Sequence, residues 1–343
     1  MSLSDVSGVF SRYFIVGFFL PAFFALMVLA ITVSDHFYPR GYHPRTQGGI
    51  LVLAGAALLL GLLLLGLHYP TLRIFEGYPL QAPPLTPVTR RLVKIQEHRL
   101  DRLERQKQLA LDPDLSEEQR QPGIVAWRKL DWEFPDRARL LPTRFGNAIR
   151  AFEYYPFSRW GLDPISTWSR IEPLLSDQER ELHSNAKTDV AFFINSTLAS
   201  IAVGIMLIAD EVAHGVVRAP FVWLYVLPFA VAYVLYRFAI GAAERWGTET
   251  RASLDLHRLE LYERLGVRAP HSFSDERKCI APRLNKFFLY AEQLPDNLWR
   301  LPQSGREDAA SRDQQMPNGV EGAAVGARQL SEERLEGPTN PSS

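Results

Sequence analysis

The sequence has a single cysteine, Cys279, among its 343 residues. One cysteine cannot form an intramolecular disulfide or supply a cysteine-based zinc site, so we interpret Cys279 as a reduced structural thiol. The sequence also has no excess of charge of either sign, with 38 basic and 38 acidic residues. Because proteins that bind nucleic acid normally carry a clear basic excess, we predict no nucleic-acid partner.

Recognisable catalytic motifs are missing as well. The chain contains no P-loop, no G-x-S-x-G, no H-E-x-x-H and no paired cysteine motif. Its eight histidines are scattered, and no two lie at i and i+4 on one helix. The sequence therefore predicts no metal site, no cofactor and no catalytic residue. Ser184 to Lys187 matches S-x-x-K only by letters, because the motifs that should accompany it are absent.

Four long apolar runs dominate what is there. They cover residues 13–33, 50–67, 190–209 and 221–240. No Asp, Glu, Lys or His lies in the middle of any run, whereas a soluble core helix usually carries a polar stripe. About 20 helical residues match a hydrocarbon core of roughly 30 Å, so the runs predict four transmembrane helices. The stretch before the first run (MSLSDVSGVF) lacks Lys and Arg, so we expect an uncleaved span rather than a signal peptide.

The spacing of the runs predicts an all-α membrane protein with its four transmembrane helices in two hairpins. Short links join the first run to the second and the third to the fourth, and a mainly helical cytoplasmic domain is inserted between the hairpins. The predicted units are a first hairpin (1–68), a cytoplasmic domain (69–188), a second hairpin with a cytoplasmic helical extension (189–266), a cytoplasmic segment (267–302) and a disordered tail (303–343).

The distribution of basic residues predicts the orientation. The two short links contain only Arg40, Arg45 and Arg218. The opposite flanks of the spans are richer in basic residues: Arg12, Arg73, Arg180, Lys187, Arg237, Arg245 and Arg251. Positive residues near helix ends are retained in the cytoplasm, so we expect a multi-pass membrane protein with both termini cytoplasmic.

The third span carries a candidate helix-packing face. Ser196, Ser200 and Gly204 recur every four residues, and Asn195 adds a hydrogen-bonding group that is costly against lipid. Small residues at this spacing allow close approach of two helices. Two interpretations remain open, packing within one chain and self-association into a homo-oligomer. Pro21 and Pro228 predict kinks in the first and fourth spans.

The cytoplasmic domain is predicted to be largely helical. A basic helix is predicted from Val88 to Leu111, with a patchy apolar stripe of Val88, Leu92, Ile95, Leu103 and Leu109. This helix could bind the anionic inner leaflet, form a coiled-coil contact, or be a solvated helix that packs on the rest of the domain. Capping boxes predict helices beginning after Ser116 and Ser176. The latter helix is expected to run into the third span, and the fourth span to continue to about Gly266. Residues 124–134 are the one strand-like stretch.

The segment from Leu141 to Trp168 is the most distinctive soluble part, because arginines alternate there with aromatic residues. Guanidinium groups beside aromatic rings can bind an anion such as a lipid phosphate or a nucleotide. The alternative is an aromatic cluster that packs against the membrane interface or the domain core. The candidate contacts for an anion or a partner are Arg144, Asn147, Arg150, Glu153, Arg159 and Asp163.

Three runs, SRYFIVGFFLPAFF, LPTRFGNAIRAFEYYPFSRWGLDPISTW and LDLHRLELYERLGV, carry a resemblance. With them the chain resembles uncharacterised (hypothetical) bacterial, largely actinobacterial, four-span inner-membrane proteins with an LPTRxGN-type cytoplasmic segment. The likeness covers most of residues 10–290, and the central run is its most specific part. The resemblance implies an inner-membrane location and adds no activity.

Three functions remain open on these grounds. The leading prediction is a non-enzymatic protein that senses, scaffolds or signals through its cytoplasmic domain. Its partners would be membrane lipid and an unknown cytoplasmic protein or small anionic ligand. The second is an oligomeric channel or membrane-perturbing effector. The third is a membrane-anchored enzyme with an unrecognised site between Arg144 and Asp163.

Overall fold

The computed structural model describes residues 11–32, 46–214 and 222–299. The arginines of the two short links and the tail predicted to be disordered lie outside these residues. The principal helices are α1 (Arg12–Thr32), α2 (Gln47–Gly66), α3 (His68–Glu76), α4 (Thr86–Leu111), α5 (Glu117–Glu133), α6 (Arg144–Glu153), α7 (Pro164–Ile171), α8 (Asp177–His214), α9 (Val222–Arg264) and α10 (Ala281–Tyr290). Shorter turns are Tyr78–Gln81, Arg137–Arg139, Pro156–Trp160, Glu172–Leu174, Phe273–Asp275, Glu276–Ile280 and Asp296–Leu298.

The described residues form a helical protein without a β-strand, and their only bridge joins Val267 to Trp299. Four helices, α1, α2, α8 and α9, are long and apolar enough to cross a membrane. The predictions of a helical fold and of four helices long and apolar enough to cross a membrane are therefore confirmed for the described residues.

The strand-like interpretation of residues 124–134 is wrong, because α5 continues to Glu133. The capping box predicted at Ser116 is present, with Gln119 as its reciprocal partner. Gly123 and Ala126 are buried on one face of α5 at helical spacing. A side chain at Gly123 would meet the backbone of Ala110, so this glycine lets α5 lie directly against α4.

Helix α4 buries only part of the predicted apolar stripe. Leu100 and Leu103 are buried against α5, whereas Val88, Ile95 and Leu109 are exposed. The reason is the close approach of α5, which selects the face of α4 that it covers.

Helices α8 and α9 are single rods that extend well beyond a bilayer core. They contain 38 and 43 residues. At 1.5 Å per residue these helices are about 57 and 65 Å long, against a hydrocarbon core of roughly 30 Å. Ser176 caps the start of α8 with Glu179 as its reciprocal partner, and Gly266 ends the turn after α9 with a φ of 70°. The two predicted cytoplasmic extensions are therefore continuous with their apolar runs.

The two rods pack antiparallel over their whole common length. Glu179 of α8 binds His257 of α9, and Asp189 binds Arg245 (3.2 Å). Near the opposite end, an added Cβ at Gly204 would lie 2.8 Å from the ring of Phe229. These contacts define one antiparallel pair.

Helices α1 and α6 pack directly against the pair. Phe14 and Phe18 of α1 pack against Ala191 of α8. Phe145 and Ile149 of α6, with Phe152, are buried against α8 and α9 as the helical spacing predicts. The packing places α6 where the apolar runs meet their extensions, with Phe152 against Trp246 and Gly247 of α9.

Candidate functional site

The beginning of the Leu141–Trp168 segment anchors α6 to α3. Thr143 accepts a hydrogen bond from the N–H of Gly146 (2.9 Å) and donates one to the carbonyl of Phe75 (2.7 Å). An added Cβ at Gly146 would lie 2.4 Å from the carbonyl oxygen of Glu76. Because only glycine fits there, α6 lies in direct backbone contact with the end of α3.

Three of the six predicted contacts are occupied elsewhere. Asn147 is buried, and its side-chain amide bonds both backbone groups of Leu141 (2.7 and 3.0 Å). Arg144 lies 3.5 Å from the Glu133 carboxylate, which also binds Arg99. Arg159 is exposed over the ring of Trp160. These residues stabilise the domain and do not line a common site.

The other three predicted contacts, Arg150, Glu153 and Asp163, line one cleft of about 720 Å³, which we call the aromatic cleft. Its volume lies within the range of small-molecule sites, roughly 300–1,000 Å³. Its further lining includes the rings of Tyr78, Phe152, Tyr154, Tyr155, Phe157, Trp168, His183 and Trp246, and the charged groups of Arg73, Arg139, Glu172 and Arg251. Asp163 is also the cap of α7, where it accepts from Ser166 N–H (2.9 Å).

One end of the aromatic cleft is cationic. Two guanidinium groups contact the ring of Tyr78, that of Arg73 at 4.1 Å and that of Arg150 at 5.7 Å from its centroid, and Arg150 donates to the Tyr78 hydroxyl. Arg139 stacks on the ring of Tyr154 at 3.7 Å. Within the described part of the chain, neither Arg139 nor Arg150 has a carboxylate at salt-bridge distance. Two arginines of this wall thus retain hydrogen-bonding capacity.

A buried carboxyl group lies beneath this end. Glu76 is 3% exposed and its carboxylate is 3.4 Å from Arg73 Nη1. Burial, together with the nearby charge of Glu153, raises the pKa of Glu76 to about 7, and Arg73 and Arg150 offset only part of this effect. Glu76 therefore changes its charge near neutral pH, at the base of the cationic wall.

The other end of the aromatic cleft is apolar and contains an imidazole. Trp246 donates its indole N–H to His183 Nε2 (3.0 Å), and the His183 ring stacks on Trp168 with centroids 4.7 Å apart. Because an indole can only donate, Nε2 is the acceptor and the neutral ring carries its proton on Nδ1. His183 Nδ1 is buried and has no hydrogen-bond partner among the described residues. This end offers aromatic faces and one unused donor.

The floor of the aromatic cleft is tied to α9. Arg251 binds Asp131 (2.9 Å) and lies over the ring of Tyr155. The Tyr155 hydroxyl donates to Asp255 (2.8 Å), and burial together with this hydrogen bond raises the pKa of Tyr155 to about 12. Tyr155 therefore remains a neutral donor, and the aromatic segment is fixed to the second rod.

The candidate helix-packing face contacts other helices of the same chain. Asn195 Nδ2 donates to the carbonyl of Gly17 in α1 (2.8 Å). Ser196 and Ser200 line an apolar groove of about 330 Å³ between α1, α8 and α9. Gly204 lies against Phe229, as described above.

Sequence reasoning missed half of the aromatic cleft. Arg73 and Tyr78 come from the connection after the second apolar run, and His183 and Trp246 come from the two rods. No spacing relates these positions, because His183 and Trp246 are 63 residues apart. The sequence feature that could have indicated this pair is that His183 and Trp246 each lie a few residues outside an apolar run, in the two predicted extensions.

The chain matches no protein-family model, no curated protein and no solved structure. Among residues 11–32, 46–214 and 222–299, no three His, Cys, Asp or Glu side chains are grouped so that they could hold a metal ion. The aromatic cleft is therefore interpreted from its own geometry.

Proposed function

We propose that the chain is an integral membrane sensor with four spans in two hairpins. A helical cytoplasmic domain is inserted between the hairpins, and the aromatic cleft of this domain receives a ligand and transmits its binding to the third and fourth spans. The basic residues at the flanks of the spans support an orientation with both termini on the cytoplasmic side. The short link between each pair of spans supports the hairpins.

A single observation carries the relay. His183 and Trp246 line the cleft and bond to each other, and each belongs to a rod that continues without interruption into an apolar run. A change in the distance between these two side chains displaces the rods themselves. Because packed helices resist gradual deformation, such a displacement is carried along their length.

The cleft wall formed by α6 is packed tightly against α9 and is fixed to α3. An added Cβ at Gly247 of α9 would lie 2.7 Å from the ring of Phe152, whose ring also meets Trp246 at 5.0 Å between centroids. Helix α6 is in turn fixed to α3 by Thr143 and Gly146. A ligand that separates the cleft walls therefore acts on α9 against a stable support.

The relay is tested without a ligand by hydrogen–deuterium exchange. In Trp168→Ala the His183 ring loses its stacking partner, so we expect faster exchange in the cytoplasmic extension of α8 and onward into residues 190–195. Trp132→Ala is the matched control, because it makes the same substitution at an exposed tryptophan of α5 that does not line the cleft. Faster exchange confined to α7 would show that the cleft and the spans are not coupled, and circular dichroism would check that the helices are intact.

A further inference from the structure

We propose that the aromatic cleft binds an amphipathic organic phosphate, with its phosphate at Arg139 and Arg150 and its apolar body against Trp168 and Trp246. The inference deepens the proposed function, since it assumes that the cleft receives a ligand and names the chemical class of that ligand.

The cationic end of the cleft favours an anionic ligand over a neutral one. Arg150 Nε is buried without a hydrogen-bond partner, and the fork of Arg150 makes one bond, to the Tyr78 hydroxyl. Arg139 is exposed and held in place by stacking on Tyr154. A guanidinium presents up to five donors, and phosphate oxygens match its geometry. Two such groups without a carboxylate partner form the positive half of a binding site.

The carboxylates on the same walls do not fill this role. Asp163 is engaged by the N–H and hydroxyl of Ser166 (2.9 and 2.6 Å). Glu172 is exposed to solvent, and neither Glu153 nor Glu172 is within salt-bridge distance of an arginine in the described ranges. Burial raises the pKa of the Glu153 carboxyl, and Arg150 and Arg73 offset only part of this effect, so Glu153 ionises less readily than a free carboxyl. Water solvates the Glu172 carboxylate, while the Arg150 Nε donor is shielded from water.

The opposite end selects an apolar, flat body with an acceptor atom. The rings of Trp168 and Trp246 meet His183 on two sides, at 4.7 and 6.0 Å between centroids. The buried Nδ1–H of His183 lacks an acceptor, and an unpaired donor in an apolar site costs free energy that a ligand oxygen or ring nitrogen would recover. Inorganic phosphate alone would leave this half of the cleft empty.

The test uses the full chain in phosphatidylcholine nanodiscs and measures the thermal unfolding temperature. The probe is 2-naphthyl phosphate, and its two parts, 2-naphthol and inorganic phosphate, are added separately. We expect 2-naphthyl phosphate to raise the unfolding temperature with saturation, because a ligand that binds only the folded state stabilises it. Each part alone should give a much smaller shift at the same concentration.

Four variants locate the effect. Arg139→Ala and Arg150→Ala should each weaken binding by about tenfold or more, as expected for one lost charge-assisted contact. Trp168→Ala should weaken it through the lost ring contact. Arg159→Ala is the matched control, since Arg159 lies in the same segment but outside the cleft, and it should bind normally. Arg139 is exposed, so its variant remains informative if Arg150→Ala does not fold.

A second set of measurements, with an anionic lipid in the nanodiscs, distinguishes a lipid headgroup from a soluble phosphate ester. Nanodiscs doped with phosphatidic acid are compared with pure phosphatidylcholine discs. Stabilisation by phosphatidic acid that is lost in both arginine variants supports a lipid headgroup as the occupant, and stabilisation by 2-naphthyl phosphate supports a soluble ester.

Three results would overturn the inference. They are an unfolding temperature that shifts in neither set of measurements, a shift with 2-naphthol equal to that with 2-naphthyl phosphate, and a shift that is unchanged in both arginine variants. The exchange experiment on Trp168→Ala uses no ligand, so coupling seen there would leave the proposed relay standing while this inference fails.

Discussion

The side-chain amide of Asn195 donates a 2.8 Å hydrogen bond to the carbonyl of Gly17, the backbone acceptor that Pro21 leaves without a helical donor. Proline at i+4 has no N–H to give, and the helix opens into a π turn at Ile15–Phe19 just before it. Gly17 also lets α1 approach α8 closely, because an added Cβ would lie 3.1 Å from that of Ala191. The first span is therefore joined to α8 at a break in its own hydrogen bonding.

We predict that Asn195→Ala destabilises the chain by about 1 kcal/mol, within the measured range for hydrogen bonds between membrane helices. Pro21→Ala restores a backbone donor to Gly17, so the same Asn195 substitution should cost less in the Pro21→Ala background. The double-mutant cycle is measured by unfolding in dodecyl sulfate titrated into mild detergent. Equal costs in both backgrounds would mean that Asn195 does not act through the Gly17 carbonyl.

Features set by local sequence could be predicted, whereas features set by tertiary contacts could not. The rods were predictable because Ser176, Gly266 and the apolar runs are local features. The role of Asn147 was not, because a buried amide can bind a ligand or the backbone, and here it binds Leu141. The pairing of His183 with Trp246 depends on the register of α8 against α9, which no short motif specifies.

The contact of α6 with α3 gives a second prediction. Gly146→Ala places a Cβ 2.4 Å from the Glu76 carbonyl oxygen, so the two helices must separate. We expect a loss of stability of about 1–3 kcal/mol, the usual cost of overpacking. Gly241→Ala is the control, because no atom lies within 4 Å of its added Cβ, and it should be neutral or stabilising. Similar unfolding temperatures for the two variants would contradict the tight α3–α6 contact.

The buried carboxyl of Glu76 predicts a specific pH dependence. Its pKa is about 7 in the folded chain against 4.5 for a free group, so the folded chain binds more protons at this site between these values. Stability contributed by Glu76 is therefore present below pH 4.5 and is lost as the pH rises through about 7. The gap corresponds to at most about 3 kcal/mol.

Glu76→Gln removes this titration, so its stability relative to the native chain should increase from pH 5 to pH 8. Unfolding is measured at both pH values, with Glu181→Gln as the exposed control. A stability difference between Glu76→Gln and the native chain that does not change with pH would show that Glu76 is not protonated near neutrality in the folded protein.

The proposed orientation predicts which side of the membrane labels Cys279. This residue is the sole cysteine of the chain and is exposed, so it reports on its side without any substitution. If the C-terminal segment is cytoplasmic, a membrane-impermeant maleimide should label Cys279 in inverted membrane vesicles and not in spheroplasts. The reciprocal control is Arg40→Cys in a Cys279→Ser background, which should label in spheroplasts because Arg40 lies in the link between the first two spans. Labelling of Cys279 from outside would contradict the proposed orientation. The basic residues that flank the spans would then lie outside the cytoplasm, against the positive-inside rule. Such labelling would also place the aromatic cleft outside the cell, away from cytoplasmic organic phosphates.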